Sequence, residues 1–405
     1  MSRILKMKNH IAIILLLFTA CFCFADEPLI EQVIELKNEC EVDTDFIVEV
    51  ENLVGILTVE LSSENKIECI TKSHAFAKDE KKAKDLAGKL QMKVEGDRKK
   101  VSISAQYPLS EHSIYYYPAS EKELKKRGSA KSKSKFYKNK LHYRGENVTV
   151  MSEPSLASIY LFADISLKIP ASGKVILKNY VGTIRSQGIV GDLTVESSTG
   201  TIRIAKGQGK LQFSTASGNI DIKGQQGDMS GFAGLGNIEL SSCQGSVEIN
   251  TGSANVTCKD SQFSNLQIKS GSGTVSLDKT SGDLIVSCGS GRVQADDFDA
   301  KKILKIETGS GSVRLKGDLS SVEQLFIQTG SGTVTLVSTP FPELPFDVKS
   351  GSGDLEIKVP GIKLESTGEQ KAIIRTGSGD IRLETSRKKQ SSKSKKEASS
   401  KAELE

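Results

Sequence analysis

Thr308-Gly309-Ser310-Gly311-Ser312-Val313-Arg314-Leu315 is the stretch whose reading decides the fold. A small polar residue leads into Gly-Ser-Gly, and a short strand follows with apolar residues at alternate positions. The second glycine of that unit recurs at Gly182, Gly200, Gly218, Gly236, Gly273, Gly291, Gly332, Gly353 and Gly379, with Ala254 in the same place once. The spacing is 18 residues over the first four intervals, then 18 to 21, and 26 at the last. A period sustained over that distance marks a solenoid, in which each repeat is one coil stacked on the next.

Working outward from the glycines, each period carries two short strands. Leu193/Val195 is followed by Ile202/Ile204, Leu211/Phe213 by Ile220/Ile222, and Leu325/Ile327 by Val334/Leu336. Apolar residues at i and i+2 with polar residues between them describe strands buried on one face. The glycines mark corners that need a positive φ or close backbone stacking. Three residues before the marker the column reads Ser197, Thr215, Ala233, Thr251, Ser270, Cys288, Thr308, Thr329, Ser350 and Thr376, small at every step. One rung buries too few side chains to offset its own ordering, so rungs must share burial and ladder hydrogen bonds with neighbours. The expected fold is therefore an all-β parallel β-solenoid with rungs of about 18–21 residues over 171–385. An antiparallel meander or barrel is the alternative.

Residues 26–170 are expected to form an irregular β-rich cap. Asn52-Leu53-Val54-Gly55 repeats the start of the periodic region, Asn179-Tyr180-Val181-Gly182, so Phe46–Ser62 reads as a first, irregular rung. Ala83, Leu86, Ala87 and Leu90 share one face at helical spacing, which predicts a helix near 79–91. Residues 107–144 have no period and read as a long surface insertion.

Arg3, Lys6 and Lys8 precede an apolar run from Ile11 to Phe24 that is shorter than the ~20 residues of a membrane span. This pattern predicts a signal peptide over 1–25, cleaved after Ala25. Phe18-Thr19-Ala20-Cys21 leaves lipidation at Cys21 open. Export places the chain in the periplasm, the cell envelope or the extracellular space. A Cys40–Cys69 disulfide is compatible with such a compartment.

Net charge is +5, but it is unevenly placed. Glu121–Arg144 carries +8 and the tail 386–405 carries +4, leaving an acidic body. The tail lacks apolar periodicity and reads as disordered. The basic insertion is the binding candidate: Lys125, Lys126, Arg127, Lys131, Lys133, Lys135, Lys138 and Arg144 offer charge to an anionic glycan or envelope polymer. Tyr115, Tyr116, Tyr117 and Tyr137 offer rings for stacking on sugars. A solvated loop is the competing reading. Another envelope protein is a further candidate partner, and no specific nucleic acid is expected.

Enzymatic chemistry finds little support. Gly-Ser-Gly leads into strands, whereas a phosphate loop needs a following helix N-terminus. Where calcium rolls place Asp, Gly309-Ser310-Gly311-Ser312-Val313-Arg314 has Arg, and Asp296-Asp297-Phe298-Asp299 is the one acidic loop with cation character. His10, His74, His112 and His142 all lie outside the repeats. No catalytic residue, metal ligand or cofactor is assigned.

On these residues the chain resembles a bacterial family of β-strand-repeat adhesins, related to adhesin-head domains with Gly-Ile-Asn motifs. The resemblance rests on the Asn-x-Val-Gly starts at Asn52 and Asn179, the early helix, Ile169-Pro170 before the repeats, and the Ser/Thr-Gly-Ser-Gly series. It spans most of the chain after the signal. It implies the architecture and an exported or envelope-associated location, and brings no site with it. The basic insertion and charged tail depart from the pattern. The expected function is a non-enzymatic envelope or surface protein, an adhesin or binding scaffold. A polysaccharide-active enzyme on the same fold and an envelope-stress or structural scaffold with a protein partner are the alternatives.

Overall fold

A computed structural model describes residues 29–118, 137–153, 155, 157–365 and 371–385. The signal segment with Cys21, most of the basic insertion including Lys125, Lys126, Arg127, Lys131, Lys133 and Lys135, and the tail 386–405 lie outside the described residues.

The repeats form a parallel β-solenoid. One inward column runs Leu193, Leu211, Met229, Val247, Leu266, Leu284, Leu304, Leu325, each paired with the next. The second runs Ile202, Ile220, Ile238, Val256, Val275, Val293, Val313, Val334. These side chains are at most 4% exposed, so the core is a continuous ladder of aliphatic rungs. A third, shorter ladder through Val190, Gln208, Gln226 and Gln244 closes each coil, beyond the two strands that periodicity predicts.

The corners explain the motif. In the early rungs the marker glycines Gly182, Gly200 and Gly236 have a positive φ, and at Gly200 (φ +151°) a Cβ would lie 1.7 Å from the Gly182 carbonyl oxygen. At Gly311 the φ is ordinary and the constraint is contact alone, since a Cβ would lie 1.8 Å from the Gly291 carbonyl oxygen. The small column does more than fill space. Thr329 Oγ1 accepts from the Gly332 amide (2.9 Å) and donates to the Gly311 carbonyl one rung back (3.1 Å). Thr376 repeats this with Gly379 and Gly332, and Ser350 with Gly353 and Gly379. Cys258 and Cys288 occupy the inward and corner positions expected of them.

Ile47–Leu61 is the first rung, in register with Gly173–Gln187 through Asn52↔Asn179 and Gly55↔Gly182. Its other side is shared by Lys100–Gln106 and Tyr160–Ile169. Lys66–Ala77 pairs antiparallel with Tyr160–Ile169 and with Ile30–Glu41, closing this end. The helix Glu80–Lys89 starts where Asp79 Oδ1 accepts from the Lys82 amide (2.8 Å), and it buries Ala83 and Ala87 against Ile30–Glu41 and Lys66–Ala77.

Two expectations need correction. Residues 107–144 are not simply a surface loop: Ile114–Tyr116, Lys138–Tyr143 and Glu146–Met151 form a three-stranded side sheet. The last rungs are also not stacked in chain order. Ala372–Thr376 lies between Gln324–Thr329 and Phe346–Ser350, and Ile381–Thr385 lies between Val334–Ser338 and Leu355–Lys358. The chain steps over one rung, builds the terminal one, and returns to fill the gap. The connection around Pro340-Phe341-Pro342 crosses two rungs, about 10 Å instead of about 5, and the one after Gly361 returns by one rung.

Candidate functional site

The tyrosines expected to meet a ligand are largely internal. Tyr115 and Tyr117 are buried, and their packing is the reason. Tyr115 meets Tyr107 edge-on at 5.4 Å, Tyr143 meets Tyr107 at 6.0 Å, and Tyr117 meets Phe162 at 5.2 Å. The Tyr107 hydroxyl donates to the Val54 carbonyl (2.8 Å) and accepts from the Ala163 amide (3.2 Å). Tyr143 donates to the Ala105 carbonyl (2.6 Å) and Tyr137 to the Tyr117 carbonyl (2.5 Å). Burial drives the hydroxyls of Tyr107, Tyr115 and Tyr143 well above the ordinary phenol range. This cluster clamps the side sheet to the cap, so the rings of Tyr115 and Tyr117 are not open platforms for a sugar. Tyr116 is half-buried against Tyr160 (4.4 Å). Lys138 and Arg144 are exposed, and Arg144 lies 4.0 Å from Glu51. Of the residues that sequence grouped as a binding candidate, Lys138 and Arg144 are thus exposed while Tyr115 and Tyr117 are buried.

His74 was not singled out by spacing, yet it joins three strands. Its Nδ1 is 3.0 Å from Glu31 Oε1, its Nε2 is 3.5 Å from Asp164 Oδ2, and its ring stacks on Phe162 at 4.7 Å. Asp164 Oδ1 also accepts from the Ile56 amide (2.8 Å), which ties the carboxylate to the first rung. This arrangement locks the cap. Cys40 and Cys69 sit on paired strands as free thiols, two register positions apart, since Cys69 faces Asn38 and Cys40 faces Ile67. Burial pushes the Cys69 thiol up to about 12 and Cys40 up to about 11, so neither is a ready nucleophile.

The glycine corners do not offer a phosphate nest either. The Gly311, Gly332 and Gly379 amides already donate to the corner hydroxyls. Among the described residues no group of three His, Cys, Asp or Glu side chains is placed to hold a metal ion. Asp297 and Asp299 do line a depression of about 330 Å³ with Asp260 and Lys279, but Lys301 already pairs with Asp299.

One outward feature has no role in the stack. Strand Met229–Leu235 places Gly231 in the inward column between Phe213 and Ile249, and turns Phe232 outward. Phe232 is 49% exposed and is the one exposed aromatic residue among those described. It stands in an outward column with Glu196, Ser214 and Asn250, one residue per rung. The column beside it is Thr194, Gln212, Ser230 and Glu248. Together these line a shallow depression of about 350 Å³. The small Ser214 and Ser230 leave the ring edge open, while longer amides and carboxylates stand around it. Sequence periodicity carried a signal here, since Met229-Ser230-Gly231-Phe232 lacks the large inward residue its neighbours have.

Comparisons with known proteins place this architecture. A family model described as Toastrack DUF4097 matches residues 111–384, more than half of the chain. No curated protein matches it. Among solved structures, one described as "a putative cell adhesion protein from Clostridium sporogenes ATCC 15579" is similar at 12% identity, covering 87% of this chain and 100% of its own, with a TM-score of 0.15. Given the family match and the rung-by-rung stacking, the chain belongs to the Toastrack DUF4097 family.

Proposed function

We propose that this protein is an exported, non-enzymatic binding scaffold of the cell envelope or surface. The observation that carries the reading is the depression around Phe232, a ligand-sized feature on a rigid parallel sheet. Folding does not require it, because half-exposing a phenylalanine forgoes burial worth about 1.5–3 kcal/mol in full. Several polar groups that might otherwise suggest catalysis are engaged: the Thr308, Thr329 and Thr376 hydroxyls hold backbone, His74 Nδ1 meets Glu31, and the Tyr107, Tyr137 and Tyr143 hydroxyls donate to backbone carbonyls. Among the described residues no helix is long and apolar enough to cross a membrane. In this reading the N-terminal segment directs export, with either cleavage after Ala25, which frees the chain, or lipid at Cys21, which anchors it. The resemblance to β-repeat adhesins supports the same location.

The test joins location and binding. Mass spectrometry of the protein from its native host reads the mature N-terminus, and the purified chain is incubated with isolated envelope material. Expected are a start after Ala25 or a lipidated Cys21, saturable binding, and no change in the polymer's mass. An intact N-terminus in the cytosolic fraction, or release of polymer fragments, overturns the reading.

A further inference from the structure

We infer that the depression around Phe232 is a subsite for a pyranose ring of a neutral glycan, with Phe232 as the stacking platform. The inference deepens the scaffold reading and rests on it.

The inside of the rung shows why Phe232 faces out. A Cβ on Gly231 would lie 1.9 Å from the Phe213 ring, so Phe213 already fills the volume that an inward side chain would need. The rung has no room for a second aromatic residue there. An outward position in a surface ladder is normally given to polar residues, and those on either side are Ser214 and Asn250. Exchanging Phe232 for such a residue would cost the core nothing. Its presence is left without a packing reason.

Chemistry selects the ligand. An aromatic face offers a flat apolar surface, and the C–H face of a pyranose ring is its complement. The groups around the ring are those that read hydroxyls: the Gln212 and Asn250 amides and the Glu196 and Glu248 carboxylates. Neighbouring rungs are about 4.8 Å apart and i, i+2 residues about 6.6 Å apart. Hydroxyls on opposite sides of one sugar ring can thus reach side chains on both columns while the ring rests on Phe232.

Size and charge exclude other occupants. At about 350 Å³ the depression sits at the small end of ligand sites. A stable protein interface buries about 800 Å² per partner around an apolar centre, and this face has one aromatic residue in a polar field. The lining includes two carboxylates and no Lys or Arg, and the nearest cation pairing with it, Lys178, meets Glu196 at 3.4 Å from the preceding rung. Lys269 follows Asn250 at the far end of the column, so cations flank the depression, but none lines it and the lining favours a neutral ligand over an anionic one. The expectation of an anionic ligand is therefore confined to the basic insertion and does not extend to this face.

The test titrates the purified full chain with neutral cello-, malto-, manno- and chito-oligosaccharides, and with polygalacturonate as the anionic probe, by calorimetry. Expected is saturable binding of at least one neutral oligosaccharide, weakened at least tenfold in Phe232→Ala and largely kept in Phe232→Tyr. Gln212→Ala and Asn250→Ala should each weaken it several-fold. All four variants should stay folded with at most a small drop in melting temperature, largest in Phe232→Ala, which also removes the covered half of the ring. Binding that survives Phe232→Ala, no binding of any neutral oligosaccharide, or a preference for polygalacturonate overturns the subsite. If the wild-type chain binds envelope material but no neutral oligosaccharide, only the subsite falls. If the wild-type chain binds no envelope material, the scaffold reading falls by itself.

Discussion

Replacing Thr329 with valine separates two accounts of the corner column. Thr329 is 2% exposed and lies between Thr308 and Thr376 in the stack. If the column selects only for size, valine is the better substitute, because it keeps the branched shape. The hydrogen bonds say otherwise. Valine leaves the Gly332 amide, in a buried residue, without the hydroxyl that accepts it at 2.9 Å. The Gly311 carbonyl loses one donor but keeps the Thr308 hydroxyl at 3.1 Å. One stranded buried donor costs about 1–3 kcal/mol. Thr329→Ser keeps both hydrogen bonds and removes one methyl, about 0.8 kcal/mol. Stacked repeats need not unfold in one step, so the readout should be local. Native-state hydrogen exchange over Gln328–Val334 should lose about 5- to 150-fold protection in the valine variant and about fourfold in the serine variant. Valine at wild-type protection, with serine the weaker of the two, would refute the hydrogen-bonding account.

Two further outcomes follow from the same geometry. Gly200→Ala should lower the melting temperature sharply, by more than about 3 kcal/mol of stability, because its Cβ would meet the Gly182 carbonyl at 1.7 Å; Gly88→Ala, on the helix with nothing within 4 Å, should instead stabilise by roughly 0.5–1 kcal/mol. Asp347 accepts from Arg375 (2.9 Å), with Lys349 at 3.2 Å, and these partners hold its carboxyl below the ordinary range against the opposing effect of burial. A depressed carboxylate stabilises the fold above its unfolded pKa of about 3.9 and loses that contribution as pH falls through the folded value. Asp347→Asn should therefore unfold more easily than wild type at pH 7 in urea titrations, with the gap closing in acid below pH 3.9, and a gap that widens in acid would contradict the sign.

How much of this could be read along the chain depends on how local each cause is. The solenoid, its strand columns and the early rung at Asn52 were legible because stacking imposes the same demands every 18 residues. A Cβ at a marker glycine would strike the rung beneath it, so glycine returns in register whether φ is positive, as at Gly200, or ordinary, as at Gly311. The chain's own order implied, wrongly, that 346–358 precedes 372–385 in the stack. Both segments carry the same pattern, and a repeat does not state which neighbour it pairs with.

The binding candidates show the other limit. Tyr115-Tyr116-Tyr117 looked like a displayed cluster because nothing periodic surrounds it, but ring contacts to Tyr107, Tyr160 and Phe162 turn it into part of a clamp. Phe232 is the reverse case, an unremarked residue in a weak rung that the stack leaves exposed beside amides and carboxylates. The recurrence of the Thr308-Gly309-Ser310-Gly311 unit along the sequence determined that the chain would coil, because sterics act within one corner and its neighbours. Tertiary structure alone decided which aromatic rings are buried and which one faces solvent, because that depends on contacts between residues far apart in sequence.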